Sequence, residues 1–164
     1  MTIKQIRAML ILFIVCLVLS GATAIPLETE LRVTTRITDT VLNPESSPAR
    51  WLGRVRDALI DTNSKYPFLA YGTDWLAFAH FVIAIAFIGP LRDPVKNIWV
   101  IEFGMIACVL VVCFALIMGP IRGIPPGWSL IDCSFGVIGI IPLWICRRAI
   151  ARLPGAHQVA SSRA

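Results

Sequence analysis

Four ionisable residues stand within or at the edge of apolar stretches of the chain: Asp74, His80, Glu102 and Asp132. In the middle of a membrane-spanning helix such a side chain costs about 2.5–3.5 kcal/mol on insertion scales, so each needs a reason to be there. His80 could shuttle a proton if a nearby carboxylate poised it. Asp74 lies six residues before His80, and Asp132 lies ten residues after Arg122. Asp74, His80, Asp132 and Arg122 therefore form a candidate polar pocket, suited to a small cation, a proton or a lipid. Each residue also has a plainer role. Asp74 can cap its helix or meet water. Asp132 can pair with Arg122, or cap the first turn of its helix together with Ser129. His80 can hydrogen-bond a neighbouring carbonyl. Glu102 stands apart, at the level of Arg92, Lys96, Arg147 and Arg148, and reads as a structural ion-pair candidate.

No residue qualifies as catalytic from sequence. The chain has no GxSxG, P-loop, HExxH or Rossmann glycine pattern, and Gly136-Val137-Ile138-Gly139 lies inside an apolar run rather than a phosphate loop. The five cysteines (Cys16, Cys108, Cys113, Cys133, Cys146) all fall in apolar runs without zinc-ligand spacing, and read as small buried hydrophobes. No metal and no cofactor is indicated.

The elements that must carry these residues follow from composition. Of 164 residues, 57% are hydrophobic and only 15% charged. A soluble domain averages about 45–50% apolar and about 25% charged, and one this small could not bury the excess. The natural solvent is a bilayer. The net charge of +5 has no aromatic-interleaved basic stripe, so nucleic acid is not a partner. Lipid is, together with either another membrane protein or further copies of the chain.

A span needs about 20 apolar residues. Four segments approach this: Ala8 to Ile25, Thr73 to Ile88, Ile98 to Met118 and Trp128 to Cys146. Gly89-Pro90, Gly119-Pro120 and Pro125-Pro126-Gly127 punctuate the gaps. Small residues along the last segment (Ser134, Gly136, Gly139) allow close helix approach, and Pro142 invites a kink there. The fold class is all-α: a multi-pass transmembrane bundle of four spans. It has three if Ala22-Thr23-Ala24 serves as a signal-peptidase site behind Lys4 and Arg7. Residues 1–26 form the anchor or signal peptide, 27–72 an extracytoplasmic segment, 73–148 a three-span bundle, and 149–164 a disordered cytoplasmic tail.

With both ends inside, Lys4, Arg7, Arg92, Lys96, Arg147, Arg148, Arg152 and Arg163 are cytoplasmic, while the short outer loop carries Arg122 alone. Trp75 and Trp128 then suit the outer interface, and Trp99 and Trp144 the inner one. Within the outer segment, Asn43 to Pro48 reads as a turn, Ser47 as a cap, and 48–62 as an amphipathic helix with Trp51, Leu52, Val55, Ala58 and Leu59 on one face. Residues 31–41 alternate like a strand, but a lone strand has no partner. They are read as a helix continuing from the first span.

Asp74 and His80 near the start of one span, followed by Asp132-Cys133-Ser134-Phe135-Gly136-Val137-Ile138-Gly139 in the last, resemble the VanZ-like small bacterial membrane proteins over roughly residues 70–148. The Asn that usually precedes the glycines in that family is absent here, and Phe135 stands before Gly136. The resemblance implies a role in the bacterial cytoplasmic membrane, linked to the cell envelope and glycopeptide susceptibility. Two functions are expected from the sequence. One is a non-enzymatic envelope or assembly component. The other is a protein that binds or moves a lipid or small cation through His80 and Asp132. A membrane enzyme with His80 as base ranks below both, because no nucleophile stands beside it.

Overall fold

The computed structural model describes residues 1–41, 43 and 45–153. Every regular element among them is helical. In chain order these are α1 (Ile3–Ala24), α2 (Leu27–Val41), α3 (Ser47–Lys65), a 3-10 turn (Pro67–Ala70), α4 (Tyr71–Ala86), α5 (Ile88–Arg92), α6 (Ile98–Ile121) and α7 (Pro126–Ile150). Four stretches are long and apolar enough to cross a membrane: Ile3–Ala24, Pro67–Arg92, Ile98–Ile121 and Pro126–Ile150. The chain is thus an all-α, multi-pass membrane protein. It forms two compact units, Leu17–Ile83 and Met1–Cys16 with the chain from Ala84 onward.

The second of these units is built on α6 and α7. Along α6, Ile101, Cys108 and Ala115 are buried at intervals of seven, as are Ser129, Gly136, Leu143 and Ile150 along α7. A seven-residue period is the seam of a left-handed helix pair, and small residues in it let backbones close up. A Cβ built on Gly136 would strike the Cys108 carbonyl oxygen, and one on Gly119 would strike Ser129 Oγ. One on Gly104 would lie 2.6 Å from Phe87 Cζ and 2.9 Å from Leu143 Cδ1. The helices run antiparallel and are joined by a tight turn. The Gly123 N–H bonds Pro120 O (3.1 Å) and the Ile124 N–H bonds Gly119 O (2.9 Å), with Gly123 at φ 68°. This is a Schellman cap, and its positive φ is what glycine supplies. Pro126 begins α7, where its missing N–H costs nothing. At the other end of the pair, Ile6, Leu10, Phe87, Ile101, Leu143 and Ile150 are completely buried. Phe13 and Phe87 meet there with ring centroids 4.8 Å apart.

The Leu17–Ile83 unit holds the α2–α3 hairpin. α2 is a helix, set off from α1 by a turn at Ile25 and Pro26 rather than continuing it. Its threonines return their hydroxyls to carbonyls of the preceding turn (Thr35 to Leu31 at 2.8 Å, Thr38 to Thr34 at 2.8 Å, Thr40 to Arg36 at 2.9 Å), so these β-branched residues are satisfied within a helix. Glu28 and Glu30 in the first turn suit the helix dipole. α3 begins with Ser46, not Ser47, in the capping position, and extends to Lys65. Trp51, Leu52, Val55 and Leu59 are half-buried, and Ala58 is exposed.

Other boundaries move for physical reasons. Gly89-Pro90 does not end the second span. Pro90 has no N–H for the Ala86 carbonyl, so the helix breaks near Phe87 and resumes as α5, with the Leu91 N–H bonded to Phe87 O at 3.2 Å. That span also starts six residues before Thr73, at Pro67. α7 continues to Ile150, into the region read as a tail. The rest of the expected disordered tail, 154–164, and Leu42 and Pro44 of the expected turn lie outside the described residues.

Candidate functional site

Within the Leu17–Ile83 unit, α4 carries Asp74 and His80. Six residues at 100° each put them about 120° apart around the helix and about 9 Å apart along it, so they do not share a face. Asp74 is exposed beside a hollow of about 250 Å³ formed with Tyr71, Trp75 and Phe78. The Trp75 ring lies edge-on to both neighbours, at centroid distances of 5.8 and 5.5 Å. His80 Nδ1 lies 2.8 Å from Leu76 O. A carbonyl oxygen only accepts, so Nδ1 is the donor in this bond. The bond stays within α4 and does not reach Asp74. His80 lies close to α1: a Cβ on Gly21 would come within 2.9 Å of His80 Cβ.

Arg122 and Asp132 belong to the α6–α7 unit. Arg122 follows the end of α6, its backbone N–H bonded to Met118 O at 2.9 Å. Asp132 is the seventh residue of α7, too far along to cap it. Ser129 does not cap the helix either, being buried against Gly119. Both charged residues line one cleft of about 770 Å³, whose other walls are apolar and include Phe103, Leu110, Phe114 and Met118. No ion pair joins Arg122 to Asp132, and neither has a hydrogen bond from its side chain among the described residues. Glu102 does have a partner: its Oε1 accepts from Arg147 Nε at 2.9 Å, with both side chains more than 40% exposed. Next to it, the Arg148 guanidinium stacks 3.8 Å above the Trp144 ring.

Three polar arrangements escaped sequence reasoning. Arg7, read only as an orienting charge, donates to Leu91 O (3.1 Å) and Arg92 O (3.3 Å), two carbonyls at the end of α5. Asn97 Nδ2 bridges Gly89 O and Asp93 O in the following turn. In the α2–α3 hairpin, Asn63 Nδ2 donates to Glu28 Oε2 at 2.9 Å, while Arg32 pairs with Glu28 Oε1 at 2.8 Å. The Asn63 amide first, then Arg32, hold the Glu28 carboxyl below the usual carboxylate range. Arg56 Nη1 donates to Thr35 Oγ1 at 3.3 Å, again from α3 to α2. The matched amphipathic faces of α2 and α3 were the available signal for these cross-links.

Among the described residues no group of three His, Cys, Asp or Glu side chains is placed to hold a metal ion. Fold and site together define the class: an all-α multi-pass membrane protein with a helical hairpin outside its spans. Comparison with family models, with curated proteins and with solved structures gives no match.

Proposed function

We propose that the protein is a non-enzymatic component of the bacterial cell envelope that acts by assembling with another envelope protein through its α2–α3 hairpin. The supporting observation is a stripe on α2. Val33, Ile37 and Val41, four residues apart and so on one face, are 51, 58 and 73% exposed on a helix outside the four candidate spans. A contiguous exposed apolar patch away from lipid marks an interaction surface. Glu28–Asn63 and Arg56–Thr35 hold α2 against α3, so the stripe is presented on a fixed scaffold.

In this reading the chain lies in the cytoplasmic membrane with both ends inside and the hairpin outside, the arrangement that the Lys and Arg distribution supports. α1 is retained as an anchor. The complete burial of Ile6 and Leu10, and the bonds from Arg7 to the end of α5, support this, because cleavage after Ala24 would remove all three. The VanZ-like arrangement of Asp74, His80 and Asp132 to Gly139 points to the same envelope setting.

A second reading has one observation in its favour. The apolar cleft with Arg122 and Asp132 in its lining fits a lipid chain. Native mass spectrometry of the full chain, taken from its own membrane in nanodiscs, separates the two. The proposal expects a stoichiometric protein partner that is lost in the Val33→Asp, Ile37→Asp variant while helicity is kept. Stoichiometric lipid without any protein partner would favour the second reading instead.

A further inference from the structure

The cleft between α6 and α7 presents an unusual set of groups. Phe103, Leu110 and Phe114 form an apolar ridge, 45, 60 and 66% exposed, on the α6 side. Arg122 and Asp132 line the same cleft, opposite in sign and unpaired with each other. Asp132 is the costly one. An exposed carboxylate in the second turn of a spanning helix needs a cation at its own depth.

The level of each charge follows from the Gly119–Ser129 contact. Arg122 lies three residues past it along α6, and Asp132 three residues past it along α7, in opposite directions. Their Cα atoms therefore differ in depth by about 9 Å at 1.5 Å per residue. Cα–Cβ bonds tilt toward a helix N-terminus. On antiparallel helices that tilt sends the Arg122 side chain toward the level of Asp132 and the Asp132 side chain toward the level of Arg122. An arginine stem can cover apolar surface on the way.

We infer that this cleft is a homodimer interface, in which Arg122 of each copy pairs with Asp132 of the other while the Phe103–Leu110–Phe114 ridges pack together. A two-fold axis brings any residue pair together twice, reciprocally. A surface with one free cation and one free anion is then complementary to itself, and both charges are satisfied at once. A phospholipid fits less well. Its chain fills the apolar part, but its charged headgroup stays at the interface near Arg122, leaving Asp132 without a partner. The inference rests on the reading of the protein as an assembly component, and adds a second copy of the chain to it.

Charge reversal tests it with the full-length protein in nanodiscs of phosphatidylethanolamine and phosphatidylglycerol. The readout is native mass against the 18.0 kDa chain, and helicity by circular dichroism. The wild type is expected at twice the chain mass. Asp132→Arg and Arg122→Asp should each shift the monomer–dimer equilibrium at least tenfold toward monomer, and the double reversal should restore the dimer. If either single reversal fails to fold, Asp132→Asn and Arg122→Gln carry the test, each expected to shift the equilibrium the same way. A dimer indifferent to all of these, or a double reversal that stays monomeric in folded form, would overturn the interface. A wild-type monomer bound to a different protein overturns the homodimer but leaves the assembly reading intact. A wild-type monomer carrying only lipid likewise overturns the homodimer, while the assembly reading stands or falls on the separate extraction from the protein's own membrane.

Discussion

Asn63 ties α3 to α2 through a single amide–carboxylate bond to Glu28 of 2.9 Å, and this gives the hairpin a pH dependence. Because the folded pKa of Glu28 lies below its ordinary value of 4.5, the bond's stabilisation is complete above that value. It is lost as pH falls through the lower, folded value. Trp51, half-buried on α3, can report this in a protein whose other four tryptophans are replaced by Phe. Its fluorescence should change below pH 4.5, and Glu28→Gln should remove most of the change. An identical titration in the variant would contradict the assignment. At this scale sequence reading had uneven reach. Asp74, His80, Glu102 and Asp132 stood out because a bilayer makes charge expensive. Asn63, Asn97 and Arg7 did not, because their partners are a distant carboxylate and backbone carbonyls, which no local pattern announces.

Glycines distinguish packing from spacing among the helices. A Cβ on Gly136 would meet the Cys108 carbonyl oxygen and, at 2.8 Å, Val112 Cγ2, and the backbone of α6 cannot step aside. Gly136→Ala should therefore loosen the α6–α7 pair by about 1–3 kcal/mol, the usual cost of overpacking. Gly53 on α3 has nothing within 4 Å of a built Cβ. Gly53→Ala should stabilise α3 by about 0.5–1 kcal/mol, since alanine loses less backbone entropy in a helix. Thermal or denaturant unfolding of the two variants checks the opposite signs; equal effects would mean that the seam is not close-packed. The helices themselves were legible as apolar runs near 20 residues. Their ends were less so, because proline acts through its geometry rather than its mere presence. Pro90 breaks a helix that resumes at once, Pro120 sits inside the last turn of α6, and Pro126 opens α7. The strand-like alternation of residues 31–41 gave way to a helix, since their threonine hydroxyls found carbonyls in the preceding turn.

At the scale of the whole molecule, composition carried the class. A chain that is 57% hydrophobic has four helices able to cross a membrane, and the structure has them. Helix rotation was not legible, because an apolar helix in lipid has no wet face to mark. That is why the sequence could assemble Asp74, His80, Arg122 and Asp132 into one pocket, while α4 sets its two on different faces and the α6–α7 unit puts its two on one cleft. The central proposal is that the α2–α3 hairpin lies outside the membrane, with both chain ends and the α5–α6 turn inside. Single cysteines introduced as Thr38→Cys and Lys96→Cys, in a background lacking the five native thiols, test it most directly with a membrane-impermeant maleimide on spheroplasts. The account predicts that Thr38→Cys is labelled on intact spheroplasts and Lys96→Cys only after permeabilisation. Labelling of both from one side, or in the reverse order, would contradict it.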